Sequence, residues 1–326
     1  MADIAPEVSV VCSTFERAHK LPPFFAALEA QTLDADRFEV VIVDDGSKDD
    51  TGVVLQRLAD ESKLHVRIVS FPQNQGRSKG RNAGWRAAQA PIVAFTDDDC
   101  APDPRWLEEG LKAMTSTGAT VVVGRTDPNP AQAGNTGVFS RTQRVNESSG
   151  TRYFHTCNIF YRRDALERLG GFDVGFRFKG GEDTDLGWRL LESGGTVAFA
   201  NDALVLHDIS KSSYRAALRE ASMWLDIPRV TRLHPVKARP MLVHRLFWKK
   251  THELVLVAIG GITVAAIARN PLPLLGVIPW INFRLRRWPI GSGAQRVVYL
   301  PHAFLIDTVE VSSMVRGSVL NRVFVL

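Results

Sequence analysis

Short apolar runs alternate with amphipathic stretches over the first 125 residues of this 326-residue chain. The runs are rich in β-branched residues and predict four strands, at residues 8–12, 38–43, 64–70 and 92–96. The stretches between them repeat apolar residues every three or four positions and predict helices at residues 18–31, 51–61 and 80–89. This alternation predicts an α/β fold in which a mostly parallel sheet is flanked by helices. Side chains just beyond the strand ends would then line one crevice.

The pattern becomes less regular after a further strand at residues 121–123. Residues 134–150 are polar, and we expect them to form a mobile loop. The remaining elements are three strands and three helices. The strands are predicted at residues 156–160, 196–200 and 203–206, and the helices at residues 163–169, 184–193 and 214–225.

The last hundred residues differ in charge from the rest. From Arg229 onward there are 14 lysines and arginines against 3 acidic residues, whereas the preceding part has 26 against 32. Residues 229–250 mix basic and large apolar side chains, as a basic interfacial helix does. Such an asymmetry indicates an anionic partner surface, either a membrane or nucleic acid.

Two apolar segments follow, at residues 254–268 and 272–283, with Arg269, Asn270 and Pro271 between them. Neither reaches the roughly 18 to 20 residues that a straight membrane-spanning helix needs. Basic residues flank both outer ends, which favours the same side of a membrane for both. We therefore expect a shallow hairpin that enters one leaflet. A helical hairpin packed on protein, within the chain or in a second subunit, is the alternative.

The N-terminus and the cysteines indicate in which cellular compartment the chain is expected. Residues 1–7 lack the basic flank and apolar stretch of a signal peptide, so we expect the first part of the chain to stay in the cytoplasm. Cys12, Cys100 and Cys157 are widely spaced and lie in apolar or loop contexts. We expect buried thiols, with no disulfide framework and no zinc site.

Two acidic clusters follow predicted strands. In the first, residues 44–47 (DDGS), one acid could cap the next helix, while another could accept a hydrogen bond from a nucleobase with Gly46 allowing close approach. The second is Asp97, Asp98 and Asp99. Three adjacent carboxylates at the end of a buried strand repel each other unless a cation shares them. This cluster predicts Mg²⁺ or Mn²⁺ held between carboxylates and diphosphate oxygens.

A third cluster, residues 180–185 (GGEDTD), precedes a predicted helix. A capping role accounts for one acid, but not for two in a loop made flexible by two glycines. A general base placed against an acceptor hydroxyl would account for the second. His207, at the end of a later strand, could supply a neutral imidazole to the same metal, although a single histidine is more often structural. The basic segment 74–84 could contact phosphate and is not a P-loop.

Taken together, the segments 8–17, 41–51, 74–84, 96–99 and 180–186 resemble the family 2 glycosyltransferases of the GT-A fold, which is Rossmann-like. The resemblance covers about residues 8–208. It implies an inverting, metal-dependent transfer of one sugar per encounter from a nucleotide diphosphate sugar, with a UDP-linked donor as the first expectation. The first strand ends Ser-Thr-Phe-Glu-Arg where the family usually has Pro-Thr-Tyr-Asn-Arg, and the Gln-x-x-Arg-Trp motif of processive synthases is absent.

The resemblance also implies a role for each candidate residue. Asp183 would be the general base, and Glu182, Trp188 and Arg189 would lie on the acceptor side. Asp99 and His207 would hold the divalent cation, Mn²⁺ or Mg²⁺. The residues expected to bind the nucleotide sugar are Thr14, Glu16, Arg17, Asp45, Asn74, Gly76, Arg81, Asp97 and Asp98.

We expect a GT-A catalytic domain over residues 1–225, with a nucleotide-sugar half up to about residue 125 and an acceptor half after it. Residues 226–326 would form a basic helical tail that keeps the enzyme on the cytoplasmic face of the cell membrane. There it would meet a hydroxyl acceptor, lipid-linked or part of a cell-envelope polysaccharide, and the tail could also support a homo-oligomer. Two alternatives stay open: a nucleotidyltransferase, and a non-catalytic module that binds nucleotide sugar or nucleic acid.

Overall fold

The computed structural model describes residues 5–178, 180–287 and 293–326, so part of the N-terminal segment considered above lies outside the described residues. Backbone packing divides the chain into two compact units. The first comprises Met1–Gly134, Thr142–Gly175 and Glu182–Ile209, and the second comprises Asn135–Arg141, Phe176–Gly181 and Ser210–Leu326. The functional boundary expected near residue 225 stays a prediction.

An eight-stranded sheet lies at the centre of the first unit. Its strands are β1 Val8–Thr14, β2 Phe38–Asp44, β3 His65–Ser70, β4 Ile92–Thr96, β5 Cys100–Pro102, β6 Val121–Pro128, β7 Asn158–Arg162 and β8 Val197–His207. Their order across the sheet is β3-β2-β1-β4-β7-β6-β8-β5. The first four strands run parallel, whereas β7 is antiparallel to both of its neighbours. β2 is buried along its whole length, as expected for a strand covered on both faces.

Helices cover this sheet. They are α1 Leu21–Glu29, α2 Thr51–Glu61, α3 Arg77–Ala87, α4 Trp106–Thr117, α5 Glu147–Tyr153, α6 Arg163–Leu169 and α7 Glu182–Glu192. The fold class inferred from the sequence is therefore confirmed: a parallel-rich sheet is flanked by helices. The bounds of α2, β4 and α6 agree with the sequence prediction residue for residue. Cys12, Cys100 and Cys157 are buried free thiols, as expected.

Several predicted elements in this unit need correction. The two strands expected at residues 196–200 and 203–206 are one strand, β8, because a register shift opposite Gly124 and Arg125 absorbs the polar interruption. Residues 134–150 are not one continuous loop. A 3₁₀ turn at Pro130–Asn135 leads into them, and α5 begins among them with a capping box made by Asn146. Helix α4 was not predicted.

The second unit is helical. Its α-helices are α8 Tyr214–Ala221, α9 Ile227–Leu233, α10 Pro235–Ala238, α11 Lys250–Ala268, α12 Ile278–Arg287 and α13 Gly293–Asn321. The single basic helix predicted over residues 229–250 is wrong. The chain there forms α9, α10 and a 3₁₀ turn at Arg239–Met241, because prolines at 235 and 240 cannot donate to a continuing helix. His244 and Arg245 then adopt positive φ angles.

The apolar hairpin expected in the tail is present in this unit. α11, a 3₁₀ turn at Leu272–Val277 and α12 pack together, and Gly261 allows the close approach because a Cβ there would lie 2.5 Å from the carbonyl oxygen of Pro273. The expectation that both segments are too short to span a bilayer fails for α11. The first turn from Lys250 extends it to 19 residues, and it is long and apolar enough to cross a membrane by length and composition.

Candidate active site

The carboxyl ends of β1 and β4 lie side by side because the two strands are parallel neighbours. Thr14 Oγ1 donates a hydrogen bond to Asp98 Oδ2 at 2.6 Å. Arg17 Nη1 donates to Asp98 Oδ1 at 2.6 Å and to Asp99 Oδ2 at 2.8 Å. Burial raises the pKa of Asp98, although Arg17 and Thr14 act in the opposite direction. The strand ends thus bring Thr14 and Arg17 onto the second acidic cluster.

Arg81 connects the second and third acidic clusters. Its Nη2 lies 3.3 Å from Asp97 Oδ1, and its Nη1 lies 3.0 Å from Glu182 Oε1. The guanidinium is buried and lies 5.7 Å above the ring of Phe172. Burial acts to raise the pKa of Asp97, but the charges of Arg81, His207 and Arg77 and the hydrogen bond from Arg81 together lower it. One arginine of α3 therefore holds a carboxylate from the second acidic cluster and one from the start of α7.

These arginines change the argument for a metal. Sequence reasoning required a cation because the three adjacent carboxylates would repel each other. Within the described residues, Asp98 and Asp99 bind Arg17, and Asp97 binds Arg81. Two guanidinium groups therefore offset only part of the charge of the three carboxylates, because Arg81 is also shared with Glu182. The case for a metal rests on donor geometry together with the negative charge that remains.

That geometry involves Asp99 and His207. Nδ1 of His207 donates a hydrogen bond to the carbonyl oxygen of Asp208 at 2.9 Å, so Nε2 is the ring nitrogen that is available to a ligand. Nε2 lies 3.6 Å from Asp99 Oδ1. The Cys100 sulfur belongs to the same group of potential ligand atoms, all within 4.8 Å of one another, but burial raises the pKa of this thiol well above its usual value. A carboxylate oxygen beside an imidazole nitrogen fits Mn²⁺ or Mg²⁺.

The third acidic cluster opens α7. Sequence reasoning placed Glu182 and Asp183 in a flexible loop, and the structure corrects this: they are the first two residues of the helix. Glu182 is 5 % exposed. Burial, and then the negative charge of Glu182, raise the pKa of Asp183 to about 7, with Arg81 opposing them. A carboxyl group with a pKa near neutrality can accept a proton at physiological pH.

The first acidic cluster holds the loop that precedes α3. Asp45 Oδ1 accepts a hydrogen bond from the amide of Gln75 at 2.7 Å, and Oδ2 accepts one from the amide of Gly76 at 2.9 Å. Asn74, in the same loop, is exposed. Glu16 is also exposed, has a φ of 52°, and donates its backbone N–H to Ser47 Oγ at 2.9 Å. These residues lie together, and their contacts with a nucleotide stay a prediction.

Trp188 and Arg189 make contacts within the protein. The indole N–H of Trp188 donates to the carbonyl oxygen of Arg152 at 3.0 Å, and the ring is 3 % exposed. Arg189 pairs with Asp185 at 2.8 Å and also donates to the carbonyl oxygens of Leu169, the last residue of α6, and of Gly171. Both side chains stabilise the surroundings of α7. Their role on the acceptor side stays a prediction.

Sequence reasoning did not single out His155, Lys20 or Gln132. Burial lowers the pKa of His155 to about 4 in spite of the opposing charge of Asp97, so its imidazole is neutral near the donor cluster. Lys20 and Gln132 each donate to the carboxylate of Asp208 at 2.5 Å. No local pattern marks these residues, because each acts across a sequence separation that only the folded chain closes.

Two models of known protein families match the chain. The model described as glycosyl transferase family 2 matches residues 9–170. The model described as glycosyl transferase family group 2 matches residues 92–283, which is more than half of the chain. The chain belongs to the family 2 glycosyltransferases. The glycosyltransferase is therefore a transferase enzyme, and its acidic clusters lie within the matched region.

Curated relatives agree with this assignment. The glycosyltransferase is 27 % identical over 237 residues to glycosyltransferase AglE of Haloferax volcanii, covering 69 % of this chain and 76 % of that protein. It is 28 % identical over 282 residues to validoxylamine A glucosyltransferase of Streptomyces hygroscopicus, covering 76 % of this chain and 64 % of that one.

Two solved structures share the fold. The mannosyltransferase PcManGT of Pyrobaculum calidifontis, solved with GDP-Man and Mn²⁺, superposes with a TM-score of 0.63 at 20 % identity, over 98 % of this chain and 88 % of that one. TarS residues 1–349 from S. aureus, solved with UDP-GlcNAc, superposes with a TM-score of 0.56 at 15 % identity, over 97 % of this chain and 92 % of that chain.

Proposed function

We propose that this glycosyltransferase moves one sugar per encounter from a nucleotide diphosphate sugar to a hydroxyl acceptor, with inversion at the anomeric carbon. The observation that carries the proposal is the double contact of Arg81 with Asp97 and Glu182. It keeps the carboxylates expected to face the donor next to the helix start that bears Asp183. GDP-Man and UDP-GlcNAc in the two structural neighbours support a nucleotide sugar as the donor class. We expect a UDP-linked sugar from the family resemblance.

Asp183 removes the proton from the acceptor hydroxyl in this proposal. Its pKa of about 7 keeps a substantial fraction ionised at neutral pH and still makes it basic enough to take a proton in the transition state. As it loses this proton, the acceptor oxygen attacks the anomeric carbon from the face opposite the diphosphate, and the bond from that carbon to the diphosphate breaks. Glu182, held by Arg81, helps to place the acceptor. Positioning of the reactants and electrostatic stabilisation account for most of the reduction in the activation free energy.

Asp99 and His207 would hold a divalent cation. The free Nε2 of His207 and the carboxylate of Asp99 face each other across 3.6 Å, which suits an oxygen and nitrogen donor pair. The Mn²⁺ in the PcManGT structure supports this choice of metal class. When bound, such a cation stabilises negative charge on a departing diphosphate. Arg17 keeps Asp99 in place by its contact with Oδ2.

The helical hairpin is proposed to attach the enzyme to an anionic membrane. The first half of α11 is buried in a cluster that includes Leu254, Val255 and Ala258. Its second half and the turn after it are exposed, with Ile267 79 % and Leu272 66 % exposed. Arg269 is the sole charged residue of segment 257–283. The exposed half of α11 is about 15 Å long at 1.5 Å per residue, which matches one leaflet and not a full bilayer.

Basic residues lie where the hairpin ends. Arg284, Arg286 and Arg287 occupy the last turn of α12, and Lys249 and Lys250 stand at the start of α11. Lys249, Lys250 and Arg284 already form ion pairs with acidic side chains of the chain. Arg286 and Arg287 are therefore the residues expected to attract anionic headgroups, at about 1 kcal/mol each near the surface. The arrangement supports a position at the cytoplasmic face of the cell membrane, close to a lipid-linked or cell-envelope acceptor. The alternative is that this apolar tip, the second half of α11 and the turn after it, forms the contact of a homo-oligomer.

The donor site is tested by thermal unfolding with UDP, GDP, dTDP and CDP, each with Mn²⁺ and with EDTA. Stabilisation by one of them that requires Mn²⁺ supports the proposal, because a ligand that binds only the folded state raises its melting temperature.

The general base is tested by Asp183→Asn. This variant should keep the stabilisation by nucleotide but no longer release the nucleoside diphosphate from the nucleotide sugar. Asp164→Asn is the matched control, since Asp164 is the second residue of α6 as Asp183 is of α7. Near-normal release by Asp183→Asn would overturn the base assignment.

Membrane attachment is tested by cosedimentation with vesicles that contain anionic lipid. Replacement of Ile267, Leu272 and Leu275 by serine should abolish binding while the melting temperature stays the same, because these side chains are exposed. Replacement of Val53 and Val236, which are 73 % and 85 % exposed, controls for loss of apolar surface elsewhere. If the tip variant still binds vesicles, or if it changes only the oligomeric state, the membrane proposal fails.

A further inference from the structure

The peptide group between Asp208 and Ile209 joins two hydrogen bonds. Its carbonyl oxygen accepts from Nδ1 of His207 at 2.9 Å, and its N–H donates to Oε1 of Gln132 at 2.8 Å. A planar trans peptide directs its C=O and N–H in opposite directions. Gln132 therefore fixes the plane of the group that His207 uses as its hydrogen-bond acceptor.

Gln132 is held firmly in this position. Its Nε2 donates to Asp208 Oδ1 at 2.5 Å, so the same amide group contacts both the side chain of Asp208 and the peptide that follows it. It lies at the kink of the 3₁₀ segment Pro130–Asn135, where its φ of −104° and ψ of 16° are not helical. The start of this segment is fixed because the backbone N–H of Asn129 donates to the carbonyl oxygen of His207 at 2.8 Å. The turn is thus anchored to the end of β8 next to the histidine.

We propose that Gln132 is a positioning residue that sets the tautomer and direction of His207. A hydrogen bond to a backbone carbonyl selects the imidazole with the proton on Nδ1 and leaves Nε2 as the acceptor. The carbonyl group of Asp208 keeps its direction toward His207 only while the plane of the Asp208–Ile209 peptide is fixed. Gln132 fixes that plane because it accepts from the N–H on the other side of the same peptide. The consequence is that Nε2, the ring nitrogen 3.6 Å from Asp99 Oδ1, carries the lone pair in this tautomer. The metal-ligand part of this inference rests on the proposed function.

Lys20 provides a test of the mechanism within the same network. Its Nζ donates to Asp208 Oδ2 at 2.5 Å, and it contacts the side-chain carboxylate and not the peptide. Gln132 and Lys20 therefore both bind Asp208, but Gln132 also binds the peptide that His207 uses. If the peptide plane is what matters, the two residues differ in their effect on the imidazole.

The first measurement is ¹H–¹⁵N correlation spectroscopy of the histidine rings in the metal-free full chain at pH 8. His207 is assigned by comparison with His207→Gln. In the native chain we expect one tautomer, with the proton on Nδ1. Gln132→Met should give a mixture of tautomers, whereas Lys20→Met should keep the native signal. A native signal in Gln132→Met, or the same mixture in both variants, would overturn the role of the peptide.

Two further variants keep the test informative if Gln132→Met does not fold. Gln132→Ala removes both contacts of Gln132 without adding a charge beside Asp208, so it should also give a mixture of tautomers. Gln56→Met removes another Gln–Asp pair, on the surface of α2, and controls for the substitution itself. The native tautomer in Gln132→Ala would overturn the role of Gln132.

The second measurement is Mn²⁺ binding, followed by the electron paramagnetic resonance signal of the free ion. Loss of a residue that orients a metal-ligating histidine lowers metal affinity by about 10- to 100-fold. We expect that loss in Gln132→Met and a smaller change in Lys20→Met. Mixed tautomers with unchanged Mn²⁺ affinity would support the positioning of the ring by Gln132 and overturn the ligand role of His207. Failure of the inference and failure of the proposed function are thereby distinguished.

Discussion

Arg81 and Glu182 are 101 residues apart in the chain, yet Nη1 of Arg81 donates to Oε1 of Glu182 at 3.0 Å. The same guanidinium donates to Asp97 at 3.3 Å through its other terminal nitrogen. A guanidinium group presents several donors in a fixed plane, so it can hold two carboxylates at a defined separation. Arg81 therefore links the second acidic cluster directly to the first turn of α7, and the alignment of the two depends in part on this side chain.

This dependence predicts that Arg81→Lys impairs the enzyme although the charge is retained. A lysine ammonium is a compact point charge and cannot reproduce the planar double contact. We expect release of the nucleoside diphosphate to fall by about 100-fold, the scale of a misplacement near 1 Å in an active site. Arg86→Lys, an exposed position on the same helix, is the control. Wild-type release by Arg81→Lys would show that charge alone is needed there.

The pKa of Asp183 predicts the acid limb of the pH profile. At pH 5 about one in a hundred Asp183 carboxyls is ionised if the pKa is near 7, so kcat/KM should rise about tenfold per pH unit up to that value and then level off. The profile is measured by nucleoside diphosphate release at constant ionic strength. An acid limb that ends near pH 4 would mean that Asp183 has an ordinary carboxyl pKa and that burial does not raise it.

Glu182→Gln tests the cause of the shift. After burial, the charge of Glu182 makes the largest contribution to raising the pKa of Asp183, so removing that charge lowers the pKa and moves the acid limb to lower pH. Glutamine keeps an amide oxygen that can accept from Arg81.

The raised pKa of Asp183 also affects the free energy of unfolding. Because the folded-state pKa of Asp183 exceeds its unfolded value of 3.8, this group reduces stability as pH rises from about 4 to about 7.

The sequence predicts the elements of this fold where their causes are local. α2 and α6 follow from helical spacing between clear boundaries, and the bounds of β4 follow from a compact apolar run. Where the cause lies in another part of the chain, prediction failed. β8 continues through Asn201 and Asp202 because its partner β6 changes register opposite them, and no feature of β8 itself indicates this. The start of α7 at Glu182 was also missed.

The candidate site shows the same division. That acidic residues gather beyond the ends of parallel strands follows from topology and could be predicted. The arginine partners of those carboxylates could not, since Arg17 and Asp98 are 81 residues apart and Arg81 and Glu182 are 101 apart. Sequence reasoning inferred a metal from carboxylate repulsion that two arginines partly offset. The added evidence, the position of Nε2 of His207 beside Asp99, depends on a peptide orientation that only coordinates reveal.

Substitutions at two adjacent glycines distinguish the cost of backbone strain from the cost of steric overlap. Gly170 and Gly171 have φ angles of +74° and +76°, but a Cβ on Gly170 would meet no atom within 4 Å. A Cβ on Gly171 would lie 2.3 Å from Oδ1 of Asn82, whose side chain bonds the backbone of Phe172 beneath Arg81. Gly170→Ala should cost about 1 to 2 kcal/mol for the left-handed backbone alone.

Gly171→Ala should cost that amount and about 1 to 3 kcal/mol more for the overlap, measured by urea unfolding. It should also reduce nucleoside diphosphate release, because displacing Phe172 removes the surface on which Arg81 rests. Equal stability losses in the two variants would mean that Asn82 moves aside without cost. In that case the contact between Asn82 and residue 172 does not constrain Arg81.

Gly46 offers the corresponding test at the nucleotide loop. Its φ is +77°, and a Cβ would lie 2.3 Å from the carbonyl carbon of Gln73, a backbone atom that cannot rotate away. The loop would have to move, while Asp45 holds it by two amide hydrogen bonds. We expect Gly46→Ala to weaken binding of the stabilising nucleoside diphosphate by at least about tenfold, which corresponds to about 1.4 kcal/mol.

The control is Gly118→Ala, at the end of α4. Gly118 has a φ of +63° and no atom within 4 Å of a Cβ, so the variant carries the backbone strain without the overlap. It should lose stability and bind the nucleotide with native affinity, as measured by calorimetry with Mn²⁺ present. Native affinity in Gly46→Ala as well would show that the loop at residues 73–76 lies outside the nucleotide site. The contacts of Asp45 would then serve the fold alone, and the predicted base contact would be wrong.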